Sequence, residues 1–420
     1  MLTYMRFNSQ SGEAFNPMKN LIHRRTFLHR SIGAAAAIFA SPRLLHSAAN
    51  AGTGSAPQPC APTAWRKHGI VLNPTELWEG GAIQNFTSPP EPLDHDRWRI
   101  WYSVSGKNRL IAYADGVPGK EMKKTPANCT PGEAGDGAFA IGHLPDKWNP
   151  VQVVHIHLKN GRHRIYFWVH GPGIARYLAA ESDDGKRYTV KDPRQPVLYH
   201  PSDRAAQGIA SPDGVTLNKK RRPEKLGDEP MAKPHLISND STMVYQVADG
   251  SFEMYSVALL QVPKGDPAYI ADDNAPGLLR VIDRYTSDDG LHFENRRRVI
   301  ERDAKDPVDQ QFYHLAVTHT PQGRIGMLGH YRCEAQTMDL EWCFSTDGLK
   351  WDRPQRSAWL RRGDEQQPDS YGIYPGSGLV QHAGKWHLFY TGVNSSHNGK
   401  ESHGAPRSVI LHATTEDIWA

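Results

Sequence analysis

Three near-copies of one short stretch constrain this chain more than any other feature: "ESDDGKRY" from Glu181 to Tyr188, "TSDDGLHF" from Thr286 to Phe293, and "FSTDGLKW" from Phe344 to Trp351. Each spells Ser-x-Asp-Gly-x-x-aromatic. Each also follows the same upstream grammar: an apolar stretch, a turn with Gly, an aromatic-rich stretch, a loop, and a third stretch that runs into the motif. A small sheet repeated in this way cannot bury both of its faces alone, so its copies must stack on their neighbours. The Asp-Gly step makes a turn whose Gly takes a positive φ, and the aromatic that follows is placed to pack between adjacent sheets. The motif therefore reads as architecture, with no chemical role expected for Asp184, Asp289 or Asp347.

The grammar also recurs where the motif has decayed. A first unit runs "RWRIWYSVSG" then "RLIAYADG", and a last one runs "SGLVQHAG", "KWHLFYTG" and "RSVILHATTED", so that five units are visible. Period-2 alternation, aromatic and β-branched residues and Gly/Asp/Asn turns mark the stretches as strands. Radial stacking of such units predicts an all-β fold, a five-bladed β-propeller with four-stranded antiparallel blades. The motif serines Ser182, Ser287 and Ser345 are unequally spaced, and the excess lies in a polar, Pro/Lys-rich insertion between residues 191 and 235. The chain ends just after the third strand of the fifth unit. Its outer strand is therefore expected from the N-terminal side, around "KHGIVLN", Lys67 to Asn73.

A formal charge of +4 invites a polyanion partner, but Arg6, Lys19, Arg24, Arg25, Arg30 and Arg43 face a single acid, Glu13, before Ala51. Without that segment the chain is near neutral, and "KKRR" at Lys219 to Arg222 reads as a solvated loop; no nucleic-acid partner is expected. The segment itself reads as a twin-arginine signal, with "HRRTFLHR", an alanine-rich apolar core and a small-residue exit at "SAANA". Residues 1–51 are assigned to this signal, 52–64 to a linker and 65–420 to one domain. The expected location is periplasmic or secreted, with no membrane contact after cleavage and the oligomeric state open. Cys60, Cys129, Cys333 and Cys343 lack zinc-ligand spacing. Cys333 and Cys343 suit either a bridge across a hairpin or two buried thiols.

The stretches "YFWVHG…RYLAAESDDG", "SDDGLHF…DPVDQQFYHLAV", "LEWCFSTDGLKWDRP" and "IYPGSGLV…KWHLFYTG" resemble the five-bladed β-propeller glycoside hydrolases. That group includes invertase, arabinanase and neoagarobiose-hydrolase relatives and bacterial "family 32-like" members. The likeness covers roughly residues 65 to 420. It implies an exported, exo-acting glycoside hydrolase that removes terminal units from a plant or algal oligo- or polysaccharide. The Trp-x-Asn-Asp-Pro and Arg-Asp-Pro boxes of the invertase type are absent, which argues against a fructosidase. A carbohydrate-binding propeller without catalysis, and a lyase or phosphorylase on the same scaffold, are the alternatives, because fold alone does not fix function.

Glycosidic hydrolysis needs one group to protonate the leaving oxygen and another to activate water or attack the sugar. Acids at the starts of inner strands are the ones to count: Glu79 in "WEGG", Asp240 in "SNDS", Asp306 and Asp309 in "DPVDQQFY", and Asp369 in "DSYGIY". Loops after the second strands add His170, then His330, Tyr331, Arg332 and Glu334 in "HYRCE", then His397 in "NSSHNG". The resemblance carries over Asp240, Asp369 and His397. Asp240 is taken as base or nucleophile, with Asp309 or Glu79 as the second acid and Glu334 as a further candidate. His397 and Arg332 are taken as substrate contacts, and His397 or His330 as the proton donor if a histidine replaces the acid. Tyr331, Tyr374, Tyr313 and Trp78 are candidate surfaces for a sugar ring. His155 and His157 share one strand face, but no third ligand is visible from the sequence, so no metal or cofactor is expected beyond an optional structural calcium or other channel ion.

Overall fold

A computed structural model describes residues 64–84, 88–104, 110–128, 139–200, 203 and 235–418, all within the compact unit Pro59–Ala420. The expected signal and nearly all of the linker, "KKRR", Cys60 and Cys129 lie outside the described residues. The described residues are all-β apart from one 3-10 turn, Leu77–Glu79. No helix among them is long and apolar enough to cross a membrane.

Apart from Leu198–Tyr199 and from Phe139–Gly142, which runs parallel between the outer strands of the first two sets, the described strands fall into antiparallel sets of four. The first holds Glu91–Pro92, Trp98–Val104, Leu110–Gly116 and Met122–Asn128. The second holds Asn149–His157, His163–Gly171, Ile174–Ser182 and Arg187–Val190. His235–Gln246, Phe252–Gln261, Leu278–Ser287 and Glu294–Ile300 form the third. The fourth is built from Gln310–Thr320, Gly323–Arg332, Thr337–Ser345 and Ala358–Leu360. In the fifth, Gly372–Pro375 and Val380–His382 pair with Lys385–Val393, followed by Ser408–Thr415. Its outer strand is Arg66–Leu72, running antiparallel to Ser408–Thr415 from Arg66↔Thr414 to Leu72↔Ile410. The N-terminal stretch thus closes the C-terminal set, as expected from the missing fourth strand.

Two details differ from the sequence pattern. The inner strand of the fifth set is split in two, because Gly378 takes φ +114° where a Cβ would stand 2.7 Å from the Val317 carbonyl oxygen. The inner strand of the third set starts at His235, well before the apolar "STMVYQ", with a register irregularity between Ile237 and Thr242.

Alternation sends successive side chains to opposite faces of each set, and both faces are covered by the neighbouring sets. Trp101 and Ile111 of the first set pack with Ile165 and Phe167 of the second. Tyr166 and Trp168 pack with Met254 and Tyr285 of the third, whose Val257 and Ile282 meet Phe312 and Leu328 of the fourth. Met327 and Trp342 then meet Leu388 and Tyr390 of the fifth, and Phe389 and Ile410 return to Ile100 and Ala112 of the first. Apolar burial at about 25 cal/mol per Å² makes these seams the main source of stability.

The repeated motif is a turn that docks one set on the set before it. In each copy the Asp carboxylate accepts two backbone N–H groups, for Asp289 those of Leu291 at 2.7 Å and His292 at 2.9 Å, and the Ser hydroxyl accepts the Gly N–H. Gly185, Gly290 and Gly348 have φ of +68°, +71° and +77°. A Cβ on Gly290 would lie 2.6 Å from the Tyr166 hydroxyl, and one on Gly348 would lie 2.7 Å from the Tyr255 hydroxyl, both in the preceding set. The motif aromatics fill the seams: Tyr188 and Phe293 are buried there, and Trp351 stands edge-on to Tyr255 with centroids 6.0 Å apart. Cys333 and Cys343 are buried free thiols, not a bridge.

A buried charge crosses the third seam. Glu253 accepts hydrogen bonds from Arg284 Nη2 at 2.6 Å, Arg324 Nε at 2.9 Å and the Tyr255 hydroxyl at 3.1 Å, with His319 Nε2 at 2.9 Å. Burial pushes its carboxyl up, but the bonds from His319, Arg324 and Arg284 outweigh burial and hold it well below the usual range. A carboxyl depressed on folding stabilises the native state above its unfolded pKa, near 4.5, and that contribution is lost as pH falls below it. Wild type should therefore lose stability more steeply below pH 4.5 than Glu253→Gln, read as urea midpoints across pH. Gly348→Ala should cost about 2 kcal/mol or more, from the positive φ and the overlap with Tyr255, seen as a lower urea midpoint with unchanged slope.

Candidate active site

In every set the start of the inner strand lies beside the end of the second strand: Ile83↔Val104, Asn149↔His170, His235↔Leu260, Gln310↔Arg332 and Gly372↔Val393. The long loops after the second strands of the third and fifth sets, residues 262–277 and 394–407, reach over this end. Asp273 and His397 come from these two loops. Strand ends of the fourth set contribute Asp309, Tyr313, Tyr331 and Arg332, and the inner strand of the fifth contributes Tyr374.

Asp273 is the centre of one cluster. Its Oδ1 accepts the Tyr331 hydroxyl at 2.6 Å and Gln336 Nε2 at 3.5 Å, and its Oδ2 accepts Arg280 Nη1 at 2.9 Å. Arg280 is buried and also donates to Gln311 Oε1 at 2.7 Å, its guanidinium lying over the rings of Tyr313 and Tyr331. Burial pushes the Asp273 carboxyl up, but the Arg280 charge, hydrogen bonds from Tyr331 and Arg280, and the charge of His397 outweigh it and hold the group below its ordinary value. His397 Nδ1 lies 2.7 Å from the Tyr374 hydroxyl, and its ring meets Tyr313 and Tyr331 edge-on at 4.6 and 5.0 Å. Behind it His314 is fully buried, with neither ring nitrogen hydrogen-bonded among the described residues. Burial, helped by the His397 charge, pushes His314 down to about 3, so its ring is neutral at physiological pH.

Asp309 stands at the start of the fourth inner strand. Arg332 grips it in a fork, Nε at 3.0 and 3.1 Å from the two oxygens and Nη2 at 2.6 Å, and the Glu334 N–H lies 3.4 Å from Oδ2. Asp309 is 4% exposed and Arg332 37% exposed, so the cation is the accessible member of the pair.

The structure brings Tyr313, Tyr331, Tyr374 and His397 together, and Asp309, Arg332 and Glu334 beside one another. The three tyrosines are buried and pack against one another and His397, so their rings support the histidine instead of offering the open sugar platform expected from sequence. Glu334 has an exposed side chain. His330 alternates away from Tyr331 and lies half-buried among Asp339, Arg353 and Asp306, with burial as the main force pushing its ring down to about 4. Asp306 is a buried brace held by Arg353 at 2.8 Å and Arg356 at 3.1 Å.

Other expected residues lie in sealed pairs or elsewhere. Glu79 is fully buried, taking Lys124 Nζ at 2.6 Å, the Glu76 N–H at 2.7 Å and the Tyr102 hydroxyl at 2.9 Å; Trp78 packs beside Tyr102. Asp369 is buried and held by Lys67 Nζ at 2.6 Å, with the Tyr390 hydroxyl and the Gly363 N–H each at 3.1 Å. That lysine belongs to the closing strand, so Asp369 ties the N-terminal strand to the fifth set. His170 ends the second strand of the second set opposite Asn149, half-buried. Asp240 lies within the strand His235–Gln246, but its side chain is outside the described residues.

Sequence reasoning passed over Asp273, Arg280, Gln336 and His314. Two signals were present: "ADDN" in the long loop of the third unit, and an arginine inside the apolar strand "LLRVI", which requires a buried partner for Arg280. Beside this end, between the fourth and fifth sets, a polar cleft of about 550 Å³ is lined by residues that include Asp339, Arg362, Glu365, Ser370 and His403.

No family model matches the chain, and no curated protein matches it in sequence. Solved structures share its fold. One named as a glycoside hydrolase is 14% identical, with 84% of this chain and 91% of that one covered and a TM-score of 0.51. Another, named as a complex of BT0996 and RGII, is 13% identical, with 84% and 92% covered and a TM-score of 0.51. At these identities the likeness is one of fold.

Arg280→Met should leave Asp273 buried without its cation and cost about 3–5 kcal/mol, measured by denaturant unfolding. Tyr331→Phe, which removes one neutral donor, should cost about 1–3 kcal/mol.

Proposed function

We propose that this chain is an exported, exo-acting glycoside hydrolase built as a five-bladed β-propeller, acting on terminal units of a plant or algal oligo- or polysaccharide. The carrying observation is that the Asp309–Arg332 pair and the cluster of Asp273, Tyr331 and His397 both stand where inner strands begin and second-strand loops overhang. The cycle of seams from first set to fifth and back supports the propeller reading. The fold likeness to a structure named as a glycoside hydrolase supports the reaction class. The leader, with its paired Arg24 and Arg25, supports twin-arginine export to the periplasm or beyond.

Hydrolysis divides the work between a proton donor and a group that activates water. Arg280 beside Asp273 favours its carboxylate form, which suits a base more than an acid, and Asp309 is gripped by Arg332. The proton donor in this reading is His397. In the imidazolium form that a donor needs, the His397 Nδ1–H donates to the Tyr374 oxygen 2.7 Å away, which orients the ring, and the Nε2 proton is the one delivered. Asp309 serves as the base once the accessible Arg332 turns from it to a sugar hydroxyl or carboxylate. Asp240, on the third inner strand, is the alternative base.

One observation favours a second reading. Asp309 and Asp273 are each engaged by an arginine, and a site whose buried carboxylates are neutralised in this way suits a carbohydrate-binding propeller without catalysis.

The test is product release from plant and algal reducing and p-nitrophenyl oligosaccharides, comparing wild type with His397→Asn, Asp309→Asn and Asp240→Asn. His397→Asn and Asp309→Asn should each lower kcat by about 10²–10⁴ while the fold is retained. Loss confined to Asp240→Asn would move the base to the third strand. Binding by calorimetry that Arg332→Ala removes, with no turnover of any substrate, would establish the binding reading in place of the enzyme.

A further inference from the structure

At the far end of the second set, away from the candidate active site, three histidines converge. His155 and His157 alternate on the inner strand, and His163 opens the next strand directly opposite His157, so all three rings leave one face of a two-stranded ribbon. The sequence showed the His-x-His pair but not its third member, which the hairpin supplies. One ligand atom from each ring lies within 4.8 Å of the others. His155 Nε2 and His163 Nδ1 are 3.2 Å apart. Two nitrogens bound at about 2.05 Å to one tetrahedral ion would be separated by about 3.3 Å, so the spacing already matches a shared ion.

The surroundings fit the same purpose. His155 turns its Nδ1 to Glu91 Oε1, so that its Nε2 presents a lone pair toward His163 Nδ1. Glu91 also accepts Trp101 Nε1 at 2.9 Å, and its other oxygen lies 3.4 Å from His157 Nε2. A carboxylate that fixes a ligating histidine's tautomer from behind is the usual outer support of a metal site. Gly185, the glycine of the second set's Ser-x-Asp-Gly turn, leaves room for the third ring: a Cβ there would lie 3.0 Å from His163 Cε1.

We propose that His155, His157 and His163, backed by Glu91, bind one transition-metal ion of the zinc class. An all-nitrogen donor set selects zinc, cobalt, nickel or copper over calcium or magnesium. The strand His163–Gly171 separates this site from the mouth by about 26 Å at roughly 3.3 Å per residue, so the ion acts on structure, not on the bond being cleaved. Glu91 and Trp101 belong to the first set and the histidines to the second, so the ion clamps the first seam. The proposal stands apart from the glycosidase reading, since neither depends on the other.

The experiment uses tag-free mature chain, freed of metal by chelator dialysis and titrated with zinc or cobalt. One zinc ion per chain should bind with a sub-micromolar Kd, cobalt should develop the intense visible absorption of a tetrahedral site, and zinc at 100-fold excess over Kd should raise Tm by about 4 °C. His157→Ala and His163→Ala should each weaken zinc at least 100-fold and abolish the Tm rise. The His157 side chain is 60% exposed and His163 half-buried, so circular dichroism should show both variants folded. His68→Asn probes the separate group of His68, His387 and His412 and should leave binding unchanged. No stoichiometric uptake by wild type, uptake indifferent to His157→Ala and His163→Ala, or loss of uptake only in His68→Asn would each overturn the proposal.

Discussion

Every strand set in this protein is apolar on both faces, and that constraint governs the rest of the structure. A set covered on one side only would leave residues such as Trp168 or Tyr285 in water, so each needs a neighbour on either side. The last set finds one of its neighbours in the first, and its outer strand in Arg66–Leu72. Closure is therefore a hydrophobic requirement before it is a hydrogen-bonding one. Lys67 adds a charged tie by reaching Asp369 from the closing strand.

Polar groups make the seams specific. Apolar contact fixes how much surface is buried but tolerates small slips in register; buried ion pairs tolerate few. Glu253 takes Arg284 from its own set and Arg324 from the fourth, and Arg353 joins Glu341 to Asp306 within the fourth. Arg164 donates to the Asp289 carbonyl at 2.6 Å and the Tyr166 hydroxyl to that of Gly290 at 2.8 Å, so the Ser-x-Asp-Gly turn of one set is held by the set before it. The motif is repeated because the same docking problem recurs at each seam.

The candidate active site inherits its position from this scheme. Antiparallel pairing puts inner-strand starts and second-strand ends side by side, so residues far apart in sequence, such as Asp273, Tyr331 and His397, meet without any local signal. Much of the fold was legible before the structure: strand grammar, the turn chemistry of Gly290 and Gly348, and the closing strand. Of the site, Asp309, Arg332, Tyr331 and Tyr374 were legible because they sit at strand ends the repeat had already located, and His397 because its loop follows a second strand and matches the family resemblance. Asp273 was not, because its loop belongs to no part of the repeat, and its value comes from partners on three other segments. Glu79 and Asp369 were legible as acids at strand starts, yet whether an acid faces the candidate site or a lysine is a question of side-chain direction.

By itself the sequence determined the class of fold and the unit of repetition, because period-2 alternation and Asp-Gly turns act over a few residues and are written locally. Tertiary structure decided which charges meet. Arg280 finds Asp273, Arg332 finds Asp309, and His163 joins His155 and His157, through contacts across turns and loops of up to 23 positions. The physical reason is that burial and pairing energies depend on distance in space, and a repeating sheet brings together residues whose separation along the chain carries no record of that meeting.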